Sequence, residues 1–387
     1  MIRINAGVPR RAGPRGRHLT LGRARGRARR QPRLRRLLAL GLPTAWGAVA
    51  ITYKLACPLA QQNGLGARIA TCAVFFAVGT GLVLHVRRRL LWELRQIRRV
   101  AGAAQGVLLR PLPPSVDGLN VAVAQVSADR GASVGGDLYE VIGTEHGVRV
   151  VMGDVRGHGL AAIGTVAAVL GSFREAVHDE PELPGVLRRL ERAMTRHLRE
   201  RAKAEHPSSG PDPDNPVAEE FVTVLLLEIG HDGETRALNC GHPWPYLLRA
   251  DGGPAEARGR ERGRVERLGL GDPLPPLGAF PLPAELPVVR CGPLLPGEAL
   301  FLYTDGAEDA RDSAGRFFPL PAALTEATRT HPASAQEVLG TVFTRLLAHA
   351  GGLPSDDAAL LVVANGRTQV PAPYREQVAT PLGGAGL

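Results

Sequence analysis

The sequence predicts an α+β fold built on antiparallel sheet, preceded by two apolar helices near the N-terminus. Three observations predict it. After residue 118, short apolar runs of strand length outnumber helical runs and several follow one another directly, which excludes a regularly alternating doubly wound fold. Two stretches before residue 90 carry almost no charge. The 387 residues are 44% hydrophobic, enough for a packed core and too much for a wholly disordered chain.

The basic N-terminus comes first. The chain carries a net charge of +10, yet no Asp or Glu precedes Glu93, so Arg and Lys put +18 there and leave −8 for the remainder. The arm from Arg3 to Arg36 has no aromatic residue on which a base would stack and runs straight into apolar sequence. It therefore reads as a membrane-proximal arm, and no nucleic-acid partner is expected.

Leu37 to Tyr53 is free of charge, and Ile69 to Val86 contains His85 as its only ionisable side chain. Each reaches the lower limit of about 17 residues for a membrane-spanning helix. Arg33, Arg35 and Arg36 precede the first stretch and Arg87, Arg88 and Arg89 follow the second, which places both ends of a two-helix hairpin, and the remainder of the chain, on the cytoplasmic side of a bacterial membrane. A cleaved signal peptide is the competing reading, with Ala48-Val49-Ala50 as its cleavage site. The long basic region and the second apolar stretch argue against it. Leu90, Leu94, Ile97 and Ala101 then fall on one helical face. That helix either rests on anionic lipid or joins two copies into a homodimer, and the short stripe leaves both open.

The remaining elements follow from local pattern. Strands are expected at Val121–Val126, Val148–Met152, Phe221–Ile229, Arg236–Cys240, Trp244–Leu248, Ala299–Tyr303 and Ala359–Val363. Helices are expected at Leu160–His178, Leu183–Arg201 and Ala335–His349, the last with Ser334 and Glu337 at capping-box spacing. Loops are expected at Pro207–Pro216, Asp251–Arg264 and Asp272–Pro287. The domain plan is a basic arm over 1–36, the hairpin over 37–86, a juxtamembrane helix and linker over 87–117, the α+β domain over 118–366 and a flexible tail over 367–387. Cys57, Cys72, Cys240 and Cys291 are spaced too irregularly for a disulfide framework or a zinc site.

Four acidic sites lie beside glycine or at strand ends: Gly135-Gly136-Asp137, Gly153-Asp154-Val155-Arg156-Gly157-His158-Gly159, Thr304-Asp305-Gly306 and Ser355-Asp356-Asp357. Strand ends fix the backbone and glycines let it turn, so several acids can be aimed at one point of a sheet edge. Clustered carboxylates cannot all stay ionised without a compensating charge, which a hard divalent cation with oxygen ligands supplies.

These motifs in this order, with Leu138-Tyr139, Phe221-Val222-Thr223, Cys240-Gly241-His242-Pro243, Pro276-Leu277-Gly278 and Leu295-Pro296-Gly297-Glu298, resemble the SpoIIE-type branch of the PPM family of metal-dependent serine/threonine phosphatases. The resemblance implies an α-β-β-α sandwich of two antiparallel sheets flanked by helices, with two divalent cations, Mn or Mg, at one edge. It implies Asp137, Asp154, Asp305 and Asp356 as carboxylate ligands, Asp154 bridging both ions, and the Val155 carbonyl completing the set. Two such ions activate water for in-line attack on phosphorus, with no covalent phosphoenzyme. Asp154 and Asp305 are the residues expected to carry catalysis.

Arg156 joins them as a phosphate contact or is an exposed side chain at a loop tip. His158 either donates a proton to the leaving oxygen or shapes the turn. Asp357 reads equally as a further ligand and as a solvated carboxylate. His242 is expected to be structural and Cys240 a buried hydrophobe. Arg156, Glu140 and Ala358-Ala359 depart from the family pattern, which usually has Ser, Asp and Ile-Thr there. The function implied is a membrane-tethered phosphatase acting on phosphoserine or phosphothreonine of a regulatory protein such as an anti-sigma-factor antagonist. The alternative is a non-catalytic membrane signalling module that uses the same fold to bind a partner.

Overall fold

The computed structural model describes residues 45–49, 51–53, 65–126, 135–156, 160–205, 220–249, 265–269, 271–330, 334–354 and 356–367. The chain divides into two units, Met1–Glu93 and Leu94–Leu387. In the first unit the aromatic rings of Trp46 and Tyr53 pack against Phe75, with centroids 5.4 and 5.7 Å apart.

A single helix, α1 (Leu65–Leu108), contains the second expected apolar span and the expected amphipathic stripe and runs into the expected linker. Among the described residues no helix is both long and apolar enough to cross a membrane. The basic arm and most of the first expected span lie outside the described residues, while the second expected span falls within α1.

The second unit is built on strands β1 (Ser115–Val116), β2 (Leu119–Val126), β3 (Asp137–Thr144), β4 (Gly147–Val155), β5 (Val222–Ile229), β6 (Glu234–Cys240), β7 (Tyr246–Leu248), β8 (Val265–Arg267), β9 (Val289–Pro293), β10 (Ala299–Tyr303) and β11 (Ala358–Asn365). They form two sheets, in the orders β1-β2-β11-β10-β7-β8 and β3-β4-β5-β6-β9, and every pairing between them is antiparallel. Helices α2 (Leu160–Asp179) and α3 (Leu183–Glu205) cover the β3–β6 sheet. After the short α4 (Asp305–Glu308), α5 (Leu320–Thr330) and α6 (Ala335–His349) lie on the other sheet. This is the expected four-layer sandwich.

Alternation along the strands divides the core. On β10 and β11, Leu300, Leu302, Leu361 and Val363 point between the sheets, whereas Phe301, Tyr303, Leu360 and Val362 point out beneath α5 and α6. Every residue of β11 is buried, because it sits between β2 and β10 with a packed layer on each face. Ser334 caps α6 by accepting from the Glu337 amide at 3.2 Å, a contact worth about 1 kcal/mol.

Two departures from the sequence expectation stand out, and the first bears on the site. β3 was not expected as a strand, and it supplies Asp137 as its first residue. Arg367, expected at the head of a flexible tail, instead bonds Asp117, Gly230 and His231 and so ties the last described residue to two turns at the far end of the sandwich. Residues 368–387, the expected loops at 207–216 and 251–264, and His158 lie outside the described residues.

Candidate active site

Both sheets bring acids to one end of the sandwich: the start of β3, the end of β4, the turn after β10 and the turn before β11. Asp137 and Asp154 are direct cross-strand partners, and the Val155 amide donates to the Gly136 carbonyl at 3.1 Å. A Cβ on Gly136 would collide with the Val155 carbonyl oxygen and the Asp154 Oδ1, so only glycine lets β3 and β4 approach this closely. Asp305 opens α4. Its neighbour Gly306 lies against the Asp357 carbonyl, where again a Cβ would not fit.

Two hydrogen bonds lock the turn that holds Asp305. The Thr304 amide donates to the Ala359 carbonyl at 3.1 Å, and the Ala359 amide donates to Thr304 Oγ1 at 2.9 Å. On the outer face the Glu308 carboxylate accepts from the Tyr303 hydroxyl at 2.8 Å and from Tyr246 at 3.3 Å, which pins α4 to its sheet. Asp356 is exposed and accepts from the Asp357 amide at 2.8 Å.

The electrostatics are those of crowded like charges. Burial, reinforced by Asp154, Asp357 and Asp305, pushes the Asp137 carboxyl well above the usual carboxylate range, although a hydrogen bond from the Thr304 side chain opposes the shift. Burial, with Asp305, Asp356 and Asp357, pushes Asp154 up to about 7. Asp305 is raised by burial and then by Asp356 and Asp309.

The residues present fit a hard cation. Asp137 is 1% exposed, and its Oδ2 is buried with no hydrogen-bond partner. Such an atom is costly to leave unsatisfied. The donors gathered here are carboxylate and carbonyl oxygens, the chemistry that Mg and Mn prefer. Among the described residues, however, no three acidic, His or Cys side chains stand close enough to hold one ion as they are placed.

All five expected ligand residues, Asp137, Asp154, Val155, Asp305 and Asp356, lie at this end, and Asp357 lies with them. Arg156 is exposed at the end of β4. Its amide donates to the Phe221 carbonyl at 2.8 Å, and its guanidinium lies 5.2 Å from the centroid of the Phe221 ring. Glu140 is not at the site. It is buried and bonds Arg174 of α2 at 2.9 and 2.5 Å, a reach that explains a Glu at this position. Cys240 is buried, and burial raises its thiol to about 12, which suits a packing role.

Sequence reasoning gave no role to Thr223 and Thr304, whose hydroxyls bond the backbone of Asp154 and the carboxylate of Asp137. Each threonine stands within a quoted motif, and only the pairing of β5 with β4 and the meeting of the two sheets at this end give its hydroxyl a partner.

A family profile described as Stage II sporulation protein E (SpoIIE) matches residues 144–365, more than half of the chain. The chain belongs to the SpoIIE family. Among solved structures, the SpoIIE-type sandwich resembles the PP2C domain of SiaA from Pseudomonas aeruginosa, with a TM-score of 0.53, 16% identity, and coverage of 71% of this chain and 98% of that one. The RsbU and RsbW domains of Rv1364c from Mycobacterium tuberculosis match with a TM-score of 0.48 and 20% identity over 66% of this chain and 61% of that one. A SpoIIE structure from Bacillus subtilis, comprising the PP2C phosphatase domain and a fragment of the regulatory domain, matches with a TM-score of 0.46 and 14% identity over 64% and 62%. The chain thus spans about three fifths of these last two structures. The SiaA match supports the PP2C fold, and the family match places the chain in the SpoIIE family.

Proposed function

We propose that the chain is a metal-dependent serine/threonine protein phosphatase. The observation that carries this reading is the convergence of Asp137, Asp154, Asp305, Asp356 and Asp357 from both sheets, with Asp137 Oδ2 buried and unpartnered. Asp137, Asp154, Asp305, Asp356 and the Val155 carbonyl would hold two divalent cations, Mn or Mg. When bound, that group supplies Lewis acidity toward phosphoryl oxygens and acidification of water.

The chain's own residues do the rest. The carboxylates fix where positive charge sits, and the closely packed backbones at Gly136 and Gly306 keep the rim rigid. Arg156, at the exposed end of β4, is placed to exchange its stacking on Phe221 for a phosphate oxygen. Asp154 and Asp305 are the carboxylates on which catalysis depends.

The proposed substrate is phosphoserine or phosphothreonine on a regulatory protein such as a phosphorylated anti-sigma-factor antagonist, by resemblance to the family. The enzyme is proposed to be tethered to a bacterial cell membrane with its catalytic unit in the cytoplasm. The +18 charge before Glu93 and the exposed Ile69, Val74, Phe76 and Val83 on α1 support tethering. The juxtamembrane residues of α1 are the proposed place for a homodimer contact.

A second reading, a non-catalytic signalling module, is favoured by the described acids not meeting at ligand distance. Release of phosphate from a phosphoserine peptide by the 387-residue chain, with Mn and then with chelator, separates the two. Mn-dependent release supports the phosphatase. A folded chain that releases none in either condition supports the module.

A further inference from the structure

Thr223 Oγ1 lies where three groups meet. The Asp154 amide donates to it at 3.2 Å, His242 Nδ1 stands 3.0 Å away and the Asp154 carbonyl oxygen 3.4 Å away. A hydroxyl has one proton to give and two lone pairs to receive with. The Asp154 amide takes a lone pair, and the nearer acceptor for the hydroxyl proton is Nδ1, provided the imidazole is neutral and carries its proton on Nε2.

The surroundings of His242 meet the first part of that condition, a neutral ring. The ring is buried, and burial lowers it from 6.5 to about 3. The Tyr303 main chain lies beside the ring, and Nε2 is buried with no hydrogen-bond partner. The ring is also held in place: the Asn239 side chain accepts from the His242 amide and donates to the His242 carbonyl, each at 2.8 Å. Thr223 and Asp154 are cross-strand partners on β5 and β4, so the bonded hydroxyl sits beside the backbone from which the Asp154 carboxylate and the Val155 carbonyl depart.

We propose that Thr223 is a positioning residue: its hydroxyl, aimed by the His242 ring, fixes the main chain at Asp154 and so the direction in which the Asp154 carboxylate and the Val155 carbonyl leave β4. The inference rests on the phosphatase reading and adds to it a chain of three groups, ring to hydroxyl to backbone, that begins outside the acidic cluster. Valine has the shape of threonine without the hydroxyl, and serine keeps the hydroxyl without the methyl. The two substitutions therefore separate the bond from the packing.

The experiment is titration of Mn(II) into the 387-residue chain, read from the electron paramagnetic resonance of the free ion, with thermal unfolding of each sample in chelator. Thr223→Val is expected to weaken Mn binding about 10-fold or more, and Thr223→Ser to stay within about threefold of the wild type. A role in packing alone lowers the unfolding temperature and leaves Mn affinity unchanged, and folded Thr223→Val with wild-type affinity overturns the proposal. Should Thr223→Val not fold, His242→Gln carries the test, since it removes the ring and leaves Thr223 in place; unchanged Mn affinity there also overturns it. A wild-type chain that binds no Mn removes the phosphatase reading and this inference together, whereas equal binding by wild type and variant removes the positioning role alone.

Discussion

Asp137 stands directly across from Asp154 in the β3–β4 ladder, so two carboxylates project side by side from adjacent strands with Asp305 and Asp357 close enough to repel them. Folding without a cation brings these charges together at a cost.

That cost predicts a trade between stability and function. Asp137→Asn removes a buried charge, keeps an oxygen for the Thr304 hydroxyl and puts an NH2 donor where the unpartnered Oδ2 now faces like charge. Urea unfolding in chelator is expected to show the variant about 1–2 kcal/mol more stable than the wild type, with Mn binding lost. A variant less stable than wild type in chelator contradicts the account of the charge crowding.

Arg156 gives a prediction about substrate. If its guanidinium leaves Phe221 for phosphate, Arg156→Ala raises KM for a phosphorylated peptide, with a loss of about tenfold or more in kcat/KM. Arg156→Lys recovers part of that loss, because lysine keeps the charge and loses the planar fork. Steady-state kinetics with unchanged KM and kcat in the alanine variant leave Arg156 a surface residue.

His242 sets a pH dependence whose sign follows from its burial. Its folded value of about 3 lies below the 6.5 of the free ring, so the folded state binds fewer protons than the unfolded one between those values. The stability tied to the neutral ring is fully present above pH 6.5 and is lost as pH falls toward 3, by about 1.4 kcal/mol per pH unit once the unfolded ring is protonated. The acidic cluster titrates in wild type and variant alike, so their difference isolates the ring. Whatever gap separates wild type from His242→Gln at pH 7.5 is expected to narrow by about 1 kcal/mol at pH 5.5 in chemical unfolding. A gap that stays constant argues against a neutral buried imidazole.

Arg149 supports the sandwich far from the acids. Fully buried, it bonds the Glu228 carboxylate at 2.9 and 2.7 Å and the carbonyls of Val177, Glu180 and Pro181, which end α2. Arg149→Ala leaves those carbonyls without their donor and the buried Glu228 carboxylate with only the longer 3.4 Å contact to Arg236, and a loss of about 3 kcal/mol is expected. Thermal unfolding checks it, and a shift of only a degree or two contradicts the role assigned to the pair.

Much of this was legible in the sequence, and what was not has physical causes. Long apolar runs such as Leu360–Val363 announce a doubly buried strand, and Ser334 with Glu337 announces the start of α6 where it occurs. β3 is hidden because glycines open it and interrupt it, and because Glu140 looks exposed until its ion pair with Arg174 is seen. α5 is hidden by Pro321 in its first turn and by a face built largely of alanine. The motifs picked out five residues, expected as ligands, that the fold brings to one end of the sandwich. The Thr223 and Thr304 contacts depend on which strand lies beside which, and spacing along the chain carries no record of that.

The most direct measurement of the central claim is the stoichiometry of Mn binding to the 387-residue chain by equilibrium dialysis, in the wild type and in Asp305→Asn, with phosphopeptide hydrolysis followed on the same samples. Two Mn per wild-type chain, fewer in the variant, and hydrolysis that rises with occupancy and collapses in Asp305→Asn is the result expected of a dinuclear phosphatase. A folded wild-type chain that binds no Mn, or that hydrolyses equally well with Asp305 replaced, contradicts it.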